Sequence, residues 1–147
     1  MGRRRTPGAA AGAPAVAIVP ARGAEQAAAA LARRLQLPLL QADTEPVRCA
    51  AARALLLVAP GQLALQLTGR DAPGPLTVDF GAPAMRHRRR GGHNEMLGRA
   101  VGVGRKRTLS VLDGTAGLGR DSFVLADLGC RVTLCERHPV VAALLSW

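Results

Sequence analysis

Aromatic residues make up only 2% of the 147-residue chain: two phenylalanines, one tryptophan and no tyrosine. Stacking platforms for unpaired bases are therefore nearly excluded, and alanine, leucine and valine must fill any core. Acids are scarce as well, 10 against 20 lysines and arginines, for a net charge of +10. Such a balance attracts polyanions, with nucleic acid the first candidate and an anionic membrane surface the second. The three cysteines, Cys49, Cys130 and Cys135, show no C-x-x-C spacing. Neither a disulfide framework nor a zinc site is suggested, and a reducing cytoplasm follows. His87, His93 and His138 add no metal-ligand pattern, so no metal is expected. No apolar run reaches the length of a membrane span, and Pro7, Pro14 and Pro20 break up a leader-like start after Arg3-Arg4-Arg5.

Glycine, by contrast, is abundant and concentrated where it carries meaning. Val111 to Asp121 reads V-L-D-G-T-A-G-L-G-R-D. Thr108 to Leu112 predicts a strand, Gly114, Gly117 and Gly119 a tight turn, and Arg120 to Leu128 a helix stopped by Gly129. Arg131 to Cys135 predicts a second strand ending on Glu136. The whole is one βαβ unit. Without side chains in the turn a ligand can lie against backbone amides, and the helix start offers N–H groups that lack partners. Glu136, at the carboxyl end of the second strand, is placed to accept hydrogen bonds from both hydroxyls of a ribose. An adenosine-containing cofactor is implied.

Spacing separates the cofactor classes. A dinucleotide fingerprint ends on glycine, but the only register available here, Gly117 to Ser122, ends on Ser122 and puts Asp121 where a pyrophosphate would pass. A nicotinamide-dependent oxidoreductase is thereby disfavoured. D-x-T-A-G-x-G led by Asp113 instead resembles the first motif of the S-adenosylmethionine-dependent methyltransferases. The bland alternative is that these are turn glycines in an alanine- and glycine-rich chain.

The first half shows no catalytic constellation. Residues 1–14 read as a disordered start, and residues 15–80 as a small α/β module for support or substrate docking. Within it, Ala15 to Val19 predicts a strand and Ala24 to Leu37 a helix stopped by Pro38. Leu55 to Ala59 and Leu63 to Leu67 predict a hairpin with Leu63, Leu65 and Leu67 on one face, and Leu76 to Phe80 predicts a further strand. Asp43 and Glu45 read as solvated loop acids.

Residues 81–107 form a basic junction, in which Met85 to Arg107 carries eight cations against the single acid Glu95. Phosphate contact with RNA or DNA is the functional reading, a solvated linker the plain one. Asn94 to Val101 predicts a helix N-capped near Asn94.

Four segments together carry a narrower likeness: V-D-F-G-A-P-A-M-R-H-R-R-R-G-G (Val78 to Gly92), G-R-A-V-G (Gly98 to Gly102), D-G-T-A-G-L-G-R-D-S-F-V-L-A (Asp113 to Ala126) and G-C-R-V-T-L-C-E-R-H-P-V-V-A-A-L-L (Gly129 to Leu145). They resemble the small-subunit ribosomal RNA guanine-N2 methyltransferases of the RsmJ type, densely from about residue 76 onward. The resemblance implies methyl transfer from S-adenosylmethionine to the exocyclic N2 of a guanine in 16S ribosomal RNA, in the cytoplasm. It also implies cofactor contacts at Asp113, Gly117, Gly119, Arg120, Asp121, Glu136 and Arg137. RNA contacts fall to His87, Arg88, Arg89, Arg90, Arg105, Lys106 and Arg107. The expected fold is α/β, the N-terminal module followed at 108–147 by the β-α-β start of a Rossmann-like class I methyltransferase domain. The family's D-P-x-F-P type catalytic motif is absent, and 108–147 supplies only two strands of the sheet. The sequence therefore reads as the N-terminal portion of such an enzyme, expected to bind cofactor weakly and to catalyse nothing by itself. A non-catalytic basic RNA-binding module is the alternative.

Overall fold

The computed structural model describes residue 12 and residues 14–81, 93–104 and 109–147, with the side chains of 93–95 excepted. Two compact units result: residues 1–77 together with Trp147, and residues 78–146. The expected disordered start falls almost wholly outside the described residues, as do His87, Arg88, Arg89, Arg90, Arg105, Lys106 and Arg107.

In the first unit, strand β1 (Val16–Pro20) leads through helix α1 (Glu25–Leu35) and a short 3-10 turn (Pro46–Arg48) to β2 (Ala54–Ala59). The hairpin strand β3 (Gln62–Leu67) and a two-residue β4 (Leu76–Thr77) complete a sheet of order β1-β2-β3-β4. β1 and β2 run parallel, Ile18 beside Leu56, while β2 and β3 are antiparallel, Leu56 beside Leu65. The apolar run A-L-L-L-V-A suits β2 because the sheet is covered on both faces. Ile18, Leu55, Leu56 and Val58 are the large side chains buried almost completely. Burying a leucine or isoleucine contributes about 1.5–3 kcal/mol, so this strand pair is the unit's main anchor. On one face Leu40 and Cys49 pack against Ala17, Val19 and Leu55. α1 packs on β1 and buries Ala28, Leu31 and Ala32.

Three local expectations need correction. α1 ends before Pro38, because Gln36 turns left-handed at φ 54° and returns its N–H to the carbonyls of Ala32 and Arg33. Pro38 then serves β1, its carbonyl accepting from Ile18 N–H at 2.8 Å, with Leu40 N–H returning to the Ile18 carbonyl at 2.8 Å. The leucine face of β3 is uneven: Leu63 and Ala64, on opposite faces, are both buried, whereas Leu67 is 49% exposed. Gln66 is buried between them because its amide donates to the Pro73 carbonyl at 2.7 Å. Finally, β4 stops at Thr77 instead of running to Phe80. Asp79 accepts the Gly81 N–H at 2.8 Å in a tight turn, and the Phe80 ring stacks on Phe123. Asp43 and Glu45 stay exposed, facing Arg22 and Arg48 at 3.9 and 3.4 Å.

The second unit contains helix α2 (His93–Val101), strand β5 (Ser110–Asp113), helix α3 (Arg120–Asp127), strand β6 (Arg131–Leu134) and helix α4 (Pro139–Ser146). β5 and β6 pair in parallel, Ser110 beside Arg131 through Asp113 beside Leu134, with α3 as the crossover. The expected β-α-β order is present, its boundaries shifted by one or two residues. Ala116, Val124, Leu125, Val140, Ala143 and Leu144 form its buried apolar set. α2 meets the end of α3 through Gly98, where a Cβ would stand 3.0 Å from a Leu128 methyl.

Candidate functional site

The parallel register of β5 and β6 brings the carboxyl ends of both strands, Asp113 and Glu136, to the same edge of the sheet. There the turn Gly114–Gly119 leads into α3. Two sets of hydrogen bonds and one packing contact hold this turn. Asp113 binds it from within: one carboxylate oxygen accepts the Thr115 N–H at 3.1 Å and the other accepts the Ser122 hydroxyl at 2.5 Å. Ser122 is 2% exposed, so its hydroxyl has no solvent to turn to. β6 binds the turn from the side, the Ala116 N–H donating to the Cys135 carbonyl at 3.0 Å and the Gly117 N–H to Glu136 Oε2 at 2.9 Å. Packing binds it from behind, at Gly119.

Gly119 is the N-cap of α3, at φ 68°, and is buried. A Cβ there would stand 2.8 Å from a Leu145 methyl carbon and 3.1 Å from the Phe80 ring. Its lack of a side chain thus answers to backbone conformation and internal packing, and Gly119 faces protein. Gly114 differs, for nothing among the described residues lies within 4 Å of the position its Cβ would take, and it lines an open cleft.

That cleft, about 590 Å³, is bounded by Leu97 of α2, by Val111 to Ala116, and by Leu118, Arg120, Asp121 and Leu125. Of the residues expected from sequence, Asp113, Arg120 and Asp121 line it, whereas Gly117, Glu136 and Arg137 stand together at the end of β6, outside its lining. Asp121 lies in the first turn of α3, where the helix dipole favours an anion. Among the described residues no side chain caps α3, so its first amides keep their capacity for a ligand.

Glu136 is the most constrained carboxylate of the site. Its Oε1 accepts the His138 N–H at 2.7 Å and its Oε2 the Gly117 N–H at 2.9 Å. The His138 amide above all holds the carboxyl below its ordinary value; desolvation, next in size, opposes it, and the Gly117 amide and the nearby His138 and Arg137 side chains add to the lowering. Each oxygen retains a lone pair beyond the one used, so this fixed anion can still accept from a diol.

Sequence reasoning missed Ser122 as the buried partner of Asp113, Leu97 as a wall of the cleft, and Phe80 as the ring behind the turn. Ser122 entered only as a broken dinucleotide pattern. Phe80 and Phe123, the chain's two phenylalanines, stack on each other with centroids 4.9 Å apart and planes within 4°, a contact that no local pattern around Phe80 shows. Cys49, Cys130 and Cys135 are free thiols.

Comparison with known proteins gives matches that extend over both units. A family model described as "Putative SAM-dependent methyltransferase" matches residues 33–146. The chain is similar to the ribosomal RNA small subunit methyltransferase J of Alkalilimnicola ehrlichii, 52% identical over 122 residues, covering 82% of this chain and 44% of that protein. The protein of the same name from Pseudomonas aeruginosa is 51% identical over 125 residues, covering 84% and 45%. The crystal structure of a SAM-dependent methyltransferase from Neisseria gonorrhoeae is similar with a TM-score of 0.61 and 36% identity, over 88% of this chain and 50% of that one. The chain therefore spans less than half the length of the curated relatives it matches.

Proposed function

The chain belongs to this family of S-adenosylmethionine-dependent methyltransferases, and on that premise we propose that it supplies the cofactor-holding part of an enzyme that methylates the exocyclic N2 of a guanine in small-subunit ribosomal RNA. The observation that carries this reading is the glycine turn tied to Glu136 across the carboxyl ends of two parallel strands. The residues present fit the cofactor. Gly114 leaves open space where a side chain would intrude, Glu136 presents a fixed anion to a ribose diol, and the uncapped start of α3 offers amides beside Arg120 and Asp121. Arg137, exposed next to Glu136, belongs to the same contact set by resemblance.

When bound, S-adenosylmethionine supplies a methyl group activated on a sulfonium, for in-line displacement by the substrate's nitrogen. This chain's own work is positioning, which governs such displacements. Asp113 and Ser122 hold the turn, Glu136 fixes the cofactor's sugar, and Leu97, Val111 and Leu125 give the open cleft an apolar wall. His87, Arg88, Arg89, Arg90, Arg105, Lys106 and Arg107 contact RNA phosphates, each neutralised phosphate steepening the salt dependence of binding. The first unit supports or docks the substrate. The site of action is the cytoplasm, where the RNA is; no helix among the described residues is long and apolar enough to cross a membrane.

Two experiments test these assignments separately. Labelled S-adenosylmethionine retained by the chain is displaced by S-adenosylhomocysteine and not by NAD; equal displacement by NAD would return the site to dinucleotides. Joining the chain to the remaining half of its Pseudomonas aeruginosa relative restores N2-guanine methylation of unmodified small-subunit RNA. Retention of cofactor with no methylation would remove the substrate assignment and leave the cofactor one standing.

A further inference from the structure

We infer that Phe80, which lies far from the glycine motif in sequence, is a positioning residue for the cofactor turn. The inference rests on the cofactor reading above and extends it to a residue to which that reading gives no role.

The turn has three supports, and two are made of hydrogen bonds to groups that the strands already fix: Asp113 of β5, and Cys135 and Glu136 at the end of β6. The third is contact alone. At Gly119 the space a Cβ would take is filled by a Leu145 methyl of α4, 2.8 Å from that position, by the Phe80 ring at 3.1 Å and by a Leu134 methyl at 3.5 Å. The Phe80 ring is itself seated by its stack on Phe123, the residue after Ser122. One ring therefore occupies the side-chain space of the last residue of the turn and stacks on the first turn of α3 at the same time. Gly119 donates to the Ala116 carbonyl at 2.8 Å and accepts from the Phe123 N–H at 2.8 Å. Freedom gained at Gly119 is thus passed directly to both sides of the cradle.

Phe80 is held in turn by its own neighbours. Asp79 closes on the Gly81 N–H, turning the chain away from β4 and directing the ring at α3. In a chain this poor in aromatics, alanine or leucine would fill an ordinary core position. A flat ring of this breadth is what can cover Gly119 and stack on Phe123 together, and stacked pairs contribute beyond their buried area.

The test is the affinity of the 147-residue chain and its variants for S-adenosylhomocysteine. It is measured by calorimetry at a temperature where circular dichroism shows each variant fully folded. Phe80→Ala raises Kd by roughly tenfold, Phe80→Tyr stays within about twofold of the parent, and Phe80→Leu falls between. Leu56→Ala, a core truncation in the first unit, is the control for general destabilisation: it lowers Tm and leaves Kd unchanged. Parental affinity in Phe80→Ala, or an equal loss in Leu56→Ala, overturns the inference. Should Phe80→Ala not fold, Phe80→Leu decides by the same criterion. A parent chain that binds no S-adenosylhomocysteine overturns the cofactor reading and this inference together, whereas binding by the parent with an unaffected Phe80→Ala overturns this inference alone.

Discussion

The Gly117 amide donates to Glu136 Oε2 at 2.9 Å, a bond that joins the middle of the glycine turn to the end of the neighbouring strand. Glu136 thereby has two tasks, holding the turn and presenting an anion to the cofactor. Glu136→Gln keeps an acceptor for one amide but loses the charge, and Glu136→Ala loses both. Affinity for S-adenosylhomocysteine is expected to fall on the order of tenfold for the glutamine variant and further for the alanine variant, since hydrogen bonds to charged groups are the stronger kind. Calorimetric titration checks this, and equal affinity in all three proteins would remove the ribose-binding role.

The same carboxylate sets a pH dependence. Its folded pKa is held below the ordinary 4.5 by the His138 amide first and then the Gly117 amide. A group lowered in the folded state contributes stability that is fully present above its unfolded pKa and is lost as pH falls through the folded value. The Tm advantage of the parent over Glu136→Gln is therefore constant near neutrality and shrinks once pH drops below about 4.5. Thermal melts from pH 7 to pH 3 measure it; a difference that widens toward acid would contradict the bond geometry.

Asp113 and Ser122 form the buried clamp of the turn. Ser122→Ala removes the hydroxyl that donates to a carboxylate and leaves that oxygen with one partner fewer, a loss of about 1.5–3 kcal/mol for a charged hydrogen bond. Urea unfolding followed by circular dichroism checks the figure. A variant as stable as the parent would mean that water replaces the hydroxyl.

The glycines of the motif divide into two classes with opposite signatures. Gly119→Ala forces a left-handed φ on a side chain and drives its Cβ against Leu145 and Phe80. It is expected to destabilise the second unit by about 2 kcal/mol or more. Gly114→Ala meets nothing within 4 Å and keeps the parental Tm, but its methyl enters the cleft and weakens binding of S-adenosylhomocysteine. Melts and titrations of the pair distinguish the classes; the reverse pattern would exchange their roles.

Much of the second unit was legible in the sequence because its signals are local. The glycines, the β-branched and apolar runs on either side, and Glu136 after the second run specify strand, turn, helix and strand without reference to anything distant. The unread parts depend on contacts between residues far apart. β4 stops at Thr77 because Phe80 is drawn to Phe123, and no window around Phe80 contains that partner. Gly119 has the same letter as Gly114, and only the surrounding Leu145 and Phe80 show that one faces protein and the other open space. Leu67 fits the alternation of a buried face yet lies half exposed, since coverage of the sheet by other segments is not written in the strand's own period. Ser122 looked like a missing glycine and is the hydroxyl that Asp113 needs.

The most direct test of the cofactor assignment is isothermal titration of the 147-residue chain with S-adenosylhomocysteine, paired with a circular-dichroism melt of the same sample. The account predicts saturable binding at a single site and a Tm that rises with ligand concentration, as binding to the folded state alone requires. A chain that melts cooperatively and takes up no S-adenosylhomocysteine would contradict it.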